Sequence, residues 1–223
     1  MAGKLITLEG IDGSGKSTQM RMLAGELRLR GIDILATQEP GGTPLGRRLR
    51  GAFLETEEQV DPRAELLLFA ADRAQHVNLL IKPAIAEGKI VISDRYADAT
   101  LAYQGAGRGF PKEVVLDVIK LATDGLKPDL TIFFDLPVER ALSRANDSDS
   151  DSRTTNRMDF ETSEFYTRVR KEYLSIAENE PERFRVIDGD RSVEEIHHDV
   201  VDLVTRFIGQ DESGRPPSAA TKA

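Results

Sequence analysis

Short, unbroken apolar runs alternate along this chain with longer segments whose apolar residues recur every three or four positions. The first run, Lys4 to Glu9, stops at Gly10. It is followed by a helical pattern from Lys16 to Arg30, with Met20, Leu23, Ala24 and Leu27 on one face and Gly31 as a stop signal. Asp33 to Thr37 reads as a second strand, leading into a turn that contains Pro40, Gly41 and Gly42. A short helix near Leu45 to Leu54 and one long helix from about Pro62 to Glu87 come next. Ile90 to Ser93, Leu130 to Phe134 and Phe184 to Ile187 are further compact strands, and Ser192 to Phe207 reads as a closing helix. Strands without polar alternation are covered on both faces, as in a parallel sheet with helices packed above and below. The pattern predicts a three-layer α/β fold around five parallel strands.

Two segments break this pattern. Asn146 to Asn156 is almost purely polar and too poor in apolar groups to join a core, so it reads as a solvated loop or, functionally, a mobile lid spanning about 144–158. The stretch from Gln210 to Ala223, with Gly214, Pro216 and Pro217, reads as a disordered tail after one domain at 1–209. A length of 223 residues suits that single domain. There is no cysteine, which excludes disulfides and thiolate metal sites. The start lacks a signal-peptide pattern, and no apolar stretch approaches the roughly 18 residues that cross a bilayer, so the expected location is the cytoplasm with no membrane partner. The net charge of −8 argues against a large nucleic-acid surface. It leaves room for a small anionic substrate held by a few arginines.

Gly10 to Ser17 reads GIDGSGKS and satisfies G-x-x-x-x-G-K-[ST] in full. Gly10, Gly13 and Gly15 let the chain turn tightly and aim backbone N–H groups inward, while the helix beginning near Lys16 offers its positive end. Lys16 suits the β- and γ-phosphates of a nucleotide, and the Ser17 hydroxyl suits Mg²⁺. A chance match is expected in roughly one chain per hundred, given ordinary glycine usage. Here the motif lies between the first strand and the first helix, the context it requires, which points to a P-loop NTPase fold. No Asn-Lys-x-Asp segment follows, as a guanine-reading switch would need.

The third strand runs into Asp94-Arg95-Tyr96. A carboxylate at that edge lies where ligands bind in open α/β sheets, so Asp94 is a candidate for Mg²⁺ and Arg95 for a phosphate, against the plainer reading of a surface ion pair. Phe69 follows three leucines, which on its own reads as core, yet Arg73 falls on the same helical face four residues on.

With these motifs placed, the chain resembles the thymidylate kinases from about Leu5 to Phe207. The landmarks are the P-loop, Glu39-Pro40-Gly41-Gly42-Thr43, Leu68-Phe69-Ala70-Ala71-Asp72-Arg73, Asp94-Arg95-Tyr96 and Ala102-Tyr103-Gln104-Gly105, in the family's order and spacing. The resemblance implies transfer of the ATP γ-phosphoryl group to dTMP, giving dTDP and ADP for dTTP synthesis, by a homodimer. It implies that Phe69 stacks on thymine, Arg73 donates to the base O4 and Gln104 bonds the base edge. Tyr103 would lie under the deoxyribose, Arg50 and Arg95 would hold the monophosphate, and Asp12 would lie near the 3′-OH. The resemblance also puts Glu39 and Thr100 in the acceptor site. Gly10, Ile11, Asp12, Gly13, Ser14, Gly15, Lys16, Ser17, Thr18, Arg144 and Asp190 would hold ATP, with the loop from Asp188 to Ser192 beside the adenine.

Phosphoryl transfer needs positive charge on the transferring group. The variable P-loop positions Ile11, Asp12, Gly13 and Ser14 carry none. The resemblance is therefore to the bacterial subtype that supplies an arginine from the lid, with Arg144, Arg153 and Arg157 as candidates and Arg153 and Arg157 foremost. The three histidines, His76, His197 and His198, read as exposed helix residues without a catalytic role. The competing readings are a kinase for another small acceptor and a nucleotide-dependent switch with no acceptor at all.

Overall fold

A computed structural model describes residues 2–147 and 157–210. The polar stretch at 148–156, which includes Arg153, and the tail at 211–223 lie outside the described residues. The five strands form one parallel sheet: β1 (Lys4–Glu9), β2 (Ile34–Gln38), β3 (Ile90–Asp94), β4 (Leu130–Asp135) and β5 (Phe184–Asp188), in the order β2-β3-β1-β4-β5. β1 pairs with β3 in the register Leu8↔Asp94 and with β4 in the register Leu8↔Ile132.

Successive strand residues point to opposite faces. Ile6, Ile92 and Phe134 therefore pack against α1 (Lys16–Leu29) and α9 (Val193–Gln210), while Leu5, Val91 and Phe133 face the other helical layer. That second layer contains α2 (Pro44–Phe53), α3 (Pro62–His76), α4 (Lys82–Ala86), α5 (Ala97–Thr100), α6 (Lys112–Thr123), α7 (Val138–Asp147) and α8 (Ser163–Asn179). Tyr173 of α8 stacks on Phe133 with ring centroids 4.8 Å apart, and both are fully buried. Rings buried in this way stabilise by roughly 1.5–3 kcal/mol each.

The helix expected over Pro62 to Glu87 is continuous but not uniform: a π-helical turn, Val77–Ile81, separates α3 from α4. Its cause lies in Pro83, which lacks an N–H and in a regular α-helix would press its ring against the carbonyl four residues earlier. In the wider turn the Lys82 N–H bonds the Val77 carbonyl five residues back. A second π-helical segment, Leu101–Gly107, carries Tyr103 and Gln104.

Connections from β1 and β3 leave in opposite directions across the sheet, so a crevice opens beyond their carboxyl ends. Glu9 and Asp94 end these strands, and the glycine-rich loop follows Glu9.

Candidate active site

Gly10, Gly13 and Gly15 have φ values of 150°, 81° and 93°, so the loop takes a path that L-residues with a Cβ rarely follow. At Gly13 a Cβ would also lie 2.0 Å from the Ala141 carbonyl oxygen. Lys16 folds back over the loop and donates from Nζ to the Ile11 carbonyl at 3.0 Å. Its side chain is buried. Burial, and then the nearby charge of Arg95, pull its pKa down to about 8, although Asp12, Asp94 and Glu9 act the other way. An anion in this cradle would raise it again by supplying opposite charge. The Ser14 hydroxyl is buried and has no hydrogen-bond partner among the described residues, which further fits a loop shaped for phosphate.

At the mouth of the loop the Ser17 hydroxyl donates to Asp94 Oδ2 at 2.7 Å. A hydroxyl and a carboxylate brought together in this way are the hard oxygen donors that Mg²⁺ takes alongside phosphate and water. Among the described residues no cluster of three or more His, Cys, Asp or Glu could hold a metal by itself.

Arg95 occupies the left-handed region at φ 70°. Three contacts hold the turn: Arg95 N–H to the Leu8 carbonyl at 3.0 Å, Ser93 Oγ to the Arg95 carbonyl at 2.8 Å, and Tyr96 N–H to Glu9 Oε1 at 2.8 Å. The guanidinium then reaches the Gly10 carbonyl at 3.0 Å and Asp12 Oδ1 at 2.8 Å, and it lies 4.8 Å from the centre of the Tyr103 ring. Glu9 accepts at its other oxygen from the Tyr173 hydroxyl at 2.7 Å. Burial first, and the charge of Asp98 next, push the Glu9 carboxyl up to about 8.

The cleft beside the loop gathers Asp12, Glu39, Arg50, Phe69, Arg73, Arg95, Thr100, Tyr103 and Gln104, together with Pro40, Leu54, Ala99 and Met158. Every residue expected in the acceptor site is thus brought to one place. Phe69 is half-buried, meets Phe53 edge-on at 4.8 Å, and also lines the cleft. Arg73 donates from Nε to Glu39 Oε2 at 2.7 Å, from NH1 to Thr100 Oγ1 at 2.7 Å and from NH2 to the Tyr96 carbonyl at 2.9 Å. Arg50 donates to Glu55 at 3.1 Å and to the Pro40 carbonyl at 3.3 Å.

Three residues important to the geometry escaped the sequence reading. Glu9 registered only as a strand end. Glu65 is fully buried and accepts from Gln104 Nε2 at 2.9 Å, from Arg108 twice at 3.0 Å and from Arg157 NH2 at 2.6 Å. Burial would raise its pKa, but these hydrogen bonds, led by Arg108, hold it below the ordinary carboxylate value. A buried acid one turn before Phe69 was the available signal. His76 is the third, and here the expectation of exposed histidines is corrected. His76 is completely buried, with Nδ1 2.8 Å from Glu39 Oε1 and Nε2 2.7 Å from Thr37 Oγ1. It lies three residues beyond Arg73, on the face of α3 that packs on the loop after β2, where both ring nitrogens find partners. His197 is half-buried, and only His198 is exposed as expected.

Of the lid candidates, Arg157 is tied to Glu65 and, through Nε, to the Phe53 carbonyl at 3.0 Å. Arg144, from α7, donates to the Gly189 carbonyl at 3.0 Å and to Asp190 at 3.4 Å, so it reaches the loop after β5 that carries Asp190.

A glycine cradle with a buried lysine, opening onto an arginine-lined cleft at a sheet switch point, defines a P-loop kinase of a small phosphorylated acceptor. The family model for thymidylate kinase matches residues 8–200. The thymidylate kinase of Halothermothrix orenii is 48% identical over 90% of this chain and 95% of its own length. That of Nitratidesulfovibrio vulgaris is 44% identical over 98% and 99%. The crystal structure of thymidylate kinase from Ehrlichia chaffeensis superposes with a TM-score of 0.73 at 33% identity, covering 92% of this chain and 99% of that one. The chain belongs to the thymidylate kinase family.

Proposed function

We propose that the protein transfers the γ-phosphoryl group of ATP to dTMP, giving dTDP and ADP in the supply of dTTP, through a catalytic unit at residues 1–209. The observation that carries this reading is the single cleft joining the P-loop to Phe69, Arg73, Arg95 and Gln104. An oxygen of the dTMP phosphate attacks the γ-phosphorus in line, and the bond from that phosphorus to the bridging oxygen breaks, leaving its electron pair on ADP. Backbone N–H groups from Gly10 to Thr18 and the Lys16 ammonium take up the growing negative charge. Ser17 and Asp94 are the residues that would hold Mg²⁺, which when bound neutralises phosphate charge. Arg95 and Arg50 hold the acceptor phosphate, with Asp12 fixing the aim of Arg95. Arg153 is our candidate for the lid charge.

The base-reading chemistry follows from donors and acceptors. Glu65 can only accept, so the Gln104 amide nitrogen must face it, which leaves the Gln104 oxygen for a donor such as thymine N3–H. Arg73 only donates, so it suits the O4 carbonyl. Cytosine reverses both groups. In an ADP-release assay with ATP, Mg²⁺ and a panel of monophosphates, dTMP is expected to exceed dCMP in kcat/KM by at least about 100-fold. ADP release indifferent to dTMP, the behaviour of a switch, would overturn the assignment.

A homodimer is part of the proposal. Helices α3 and α6 pack side by side and expose Leu67, Val114 and Leu121, the last at 84%. Sedimentation should give twice the chain mass, and a monomer at micromolar concentration would remove this element. Among the described residues no helix is long and apolar enough to cross a membrane. We place the enzyme in the cytoplasm, where ATP is at hand.

A further inference from the structure

The Arg73 guanidinium uses three of its five N–H groups on Glu39, Thr100 and the Tyr96 carbonyl, so its position depends on how firmly those acceptors are held. Thr100 belongs to α5, and Tyr96 contributes a backbone carbonyl next to the tightly held Arg95 turn. Glu39 is different, being a side chain at the start of the loop after β2. What fixes it is His76: one carboxylate oxygen takes Arg73 Nε at 2.7 Å and the other takes His76 Nδ1 at 2.8 Å. A carboxylate only accepts, so the proton lies on Nδ1. The ring has no room to slide. Nε2 is anchored on Thr37 at 2.7 Å, and the backbone at Gly42 is so close that a Cβ there would fall 2.5 Å from Nε2. Arg73, Glu39 and His76 are all nearly inaccessible to solvent, so no water stands ready to replace a lost contact.

We propose that His76 is a positioning residue for base recognition: by holding one oxygen of Glu39 it fixes the other oxygen's grip on Arg73, and so sets where the remaining Arg73 donors point. The inference rests on the reading that Arg73 addresses the thymine O4. Loss of the Nδ1 donor leaves a buried carboxylate oxygen unpaired, and Glu39 must then shift or recruit a proton. Either outcome loosens Arg73 without touching the P-loop.

Two substitutions separate the two ring nitrogens. Asparagine places its amide nitrogen where Nδ1 lies, and glutamine places its own nearer Nε2. His76→Gln is expected to raise KM for dTMP about tenfold and narrow the preference for dTMP over dCMP, with KM for ATP unchanged. His76→Asn should restore both dTMP values toward wild type. A merely structural role would lower melting temperature in both variants and leave the dTMP/dCMP ratio alone, and that result overturns the proposal. An Arg73→Ala control separates the layers. If it leaves KM for dTMP unchanged, the base-reading assignment fails and this inference with it. If it raises KM while His76→Gln does not, only the inference fails. Nitrogen NMR of histidine in the unaltered protein gives a check free of folding problems: the His76 Nδ1–H signal should move on addition of dTMP but not of ADP, and an unmoved signal counts against the proposal.

Discussion

Replacing Lys16 with methionine is expected to lower kcat by about 10²- to 10³-fold, the cost of deleting one preorganised charge from a transition state that spreads negative charge over phosphate oxygens. Methionine keeps much of the apolar stem, so the loss is of charge more than of packing. The same residue should leave a signature in binding. In the free protein burial holds Lys16 near a pKa of about 8, and a bound triphosphate raises it by supplying opposite charge. A base whose pKa rises on binding takes up a proton between the two values, so nucleotide affinity should fall as pH rises through about 8. Glu9 titrates in the same region and, as an acid facing an incoming anion, also takes up protons. Calorimetry at pH 8 in two buffers of different ionisation enthalpy should therefore show proton uptake that shrinks in the Lys16→Met protein. Equal uptake in both proteins would assign the effect to Glu9 alone, and an unreduced kcat would remove Lys16 from the mechanism.

The contrast between Lys16 and His76 explains what sequence can reveal. Lys16 sits in a local motif whose spacing carries its own chemistry, and the positive φ values at Gly10, Gly13 and Gly15 that shape the loop are encoded by the motif's own residues. The strands were legible for a related reason. Runs such as Leu130 to Phe134 have no polar face because both faces are covered, and that requirement is written residue by residue. Their ends lay within one residue of expectation, whereas the helices between β3 and β5 carried no clear bounds. There the pattern is interrupted by Tyr103 and Gln104, which are buried yet also line the cleft, and their segment winds as a π-helix.

His76, Glu65 and Glu9 were illegible because each acquires meaning from partners 37, 43 and 87 positions away. A histidine near the end of a helix suggests an exposed cap until the loop after β2 is known to pack on it. A glutamate in an amphipathic helix suggests solvent until three arginine and glutamine donors converge upon it. Arg73 falls between these cases: periodicity placed it beside Phe69, and the fold then supplied Glu39, Thr100 and the Tyr96 carbonyl. Such side chains are held by buried networks, whose members hydrophobic patterning can only label as exceptions.

Substituting Arg153 with alanine is expected to reduce kcat by on the order of 10³-fold while leaving dTMP binding nearly intact. The physical need is plain in the loop itself, where Ile11 to Ser14 carry no cation to match the transferring phosphoryl group. The described arginines nearby have other work. Arg95 is bonded to the Gly10 carbonyl and Asp12, Arg144 to the Gly189 carbonyl and Asp190, and Arg157 to Glu65 and the Phe53 carbonyl. Arg157→Ala should consequently behave differently. It removes a donor from the buried Glu65 cluster beside Gln104, so it should lower thermal stability and raise KM for dTMP more than it lowers kcat. Steady-state kinetics on the two variants, with dTMP affinity measured separately by calorimetry, distinguishes the assignments. A large kcat loss in Arg157→Ala beside a nearly normal Arg153→Ala would mean that Arg157 must leave Glu65 to reach the phosphates, and the catalytic charge would then belong to the residue that here pairs with the buried Glu65.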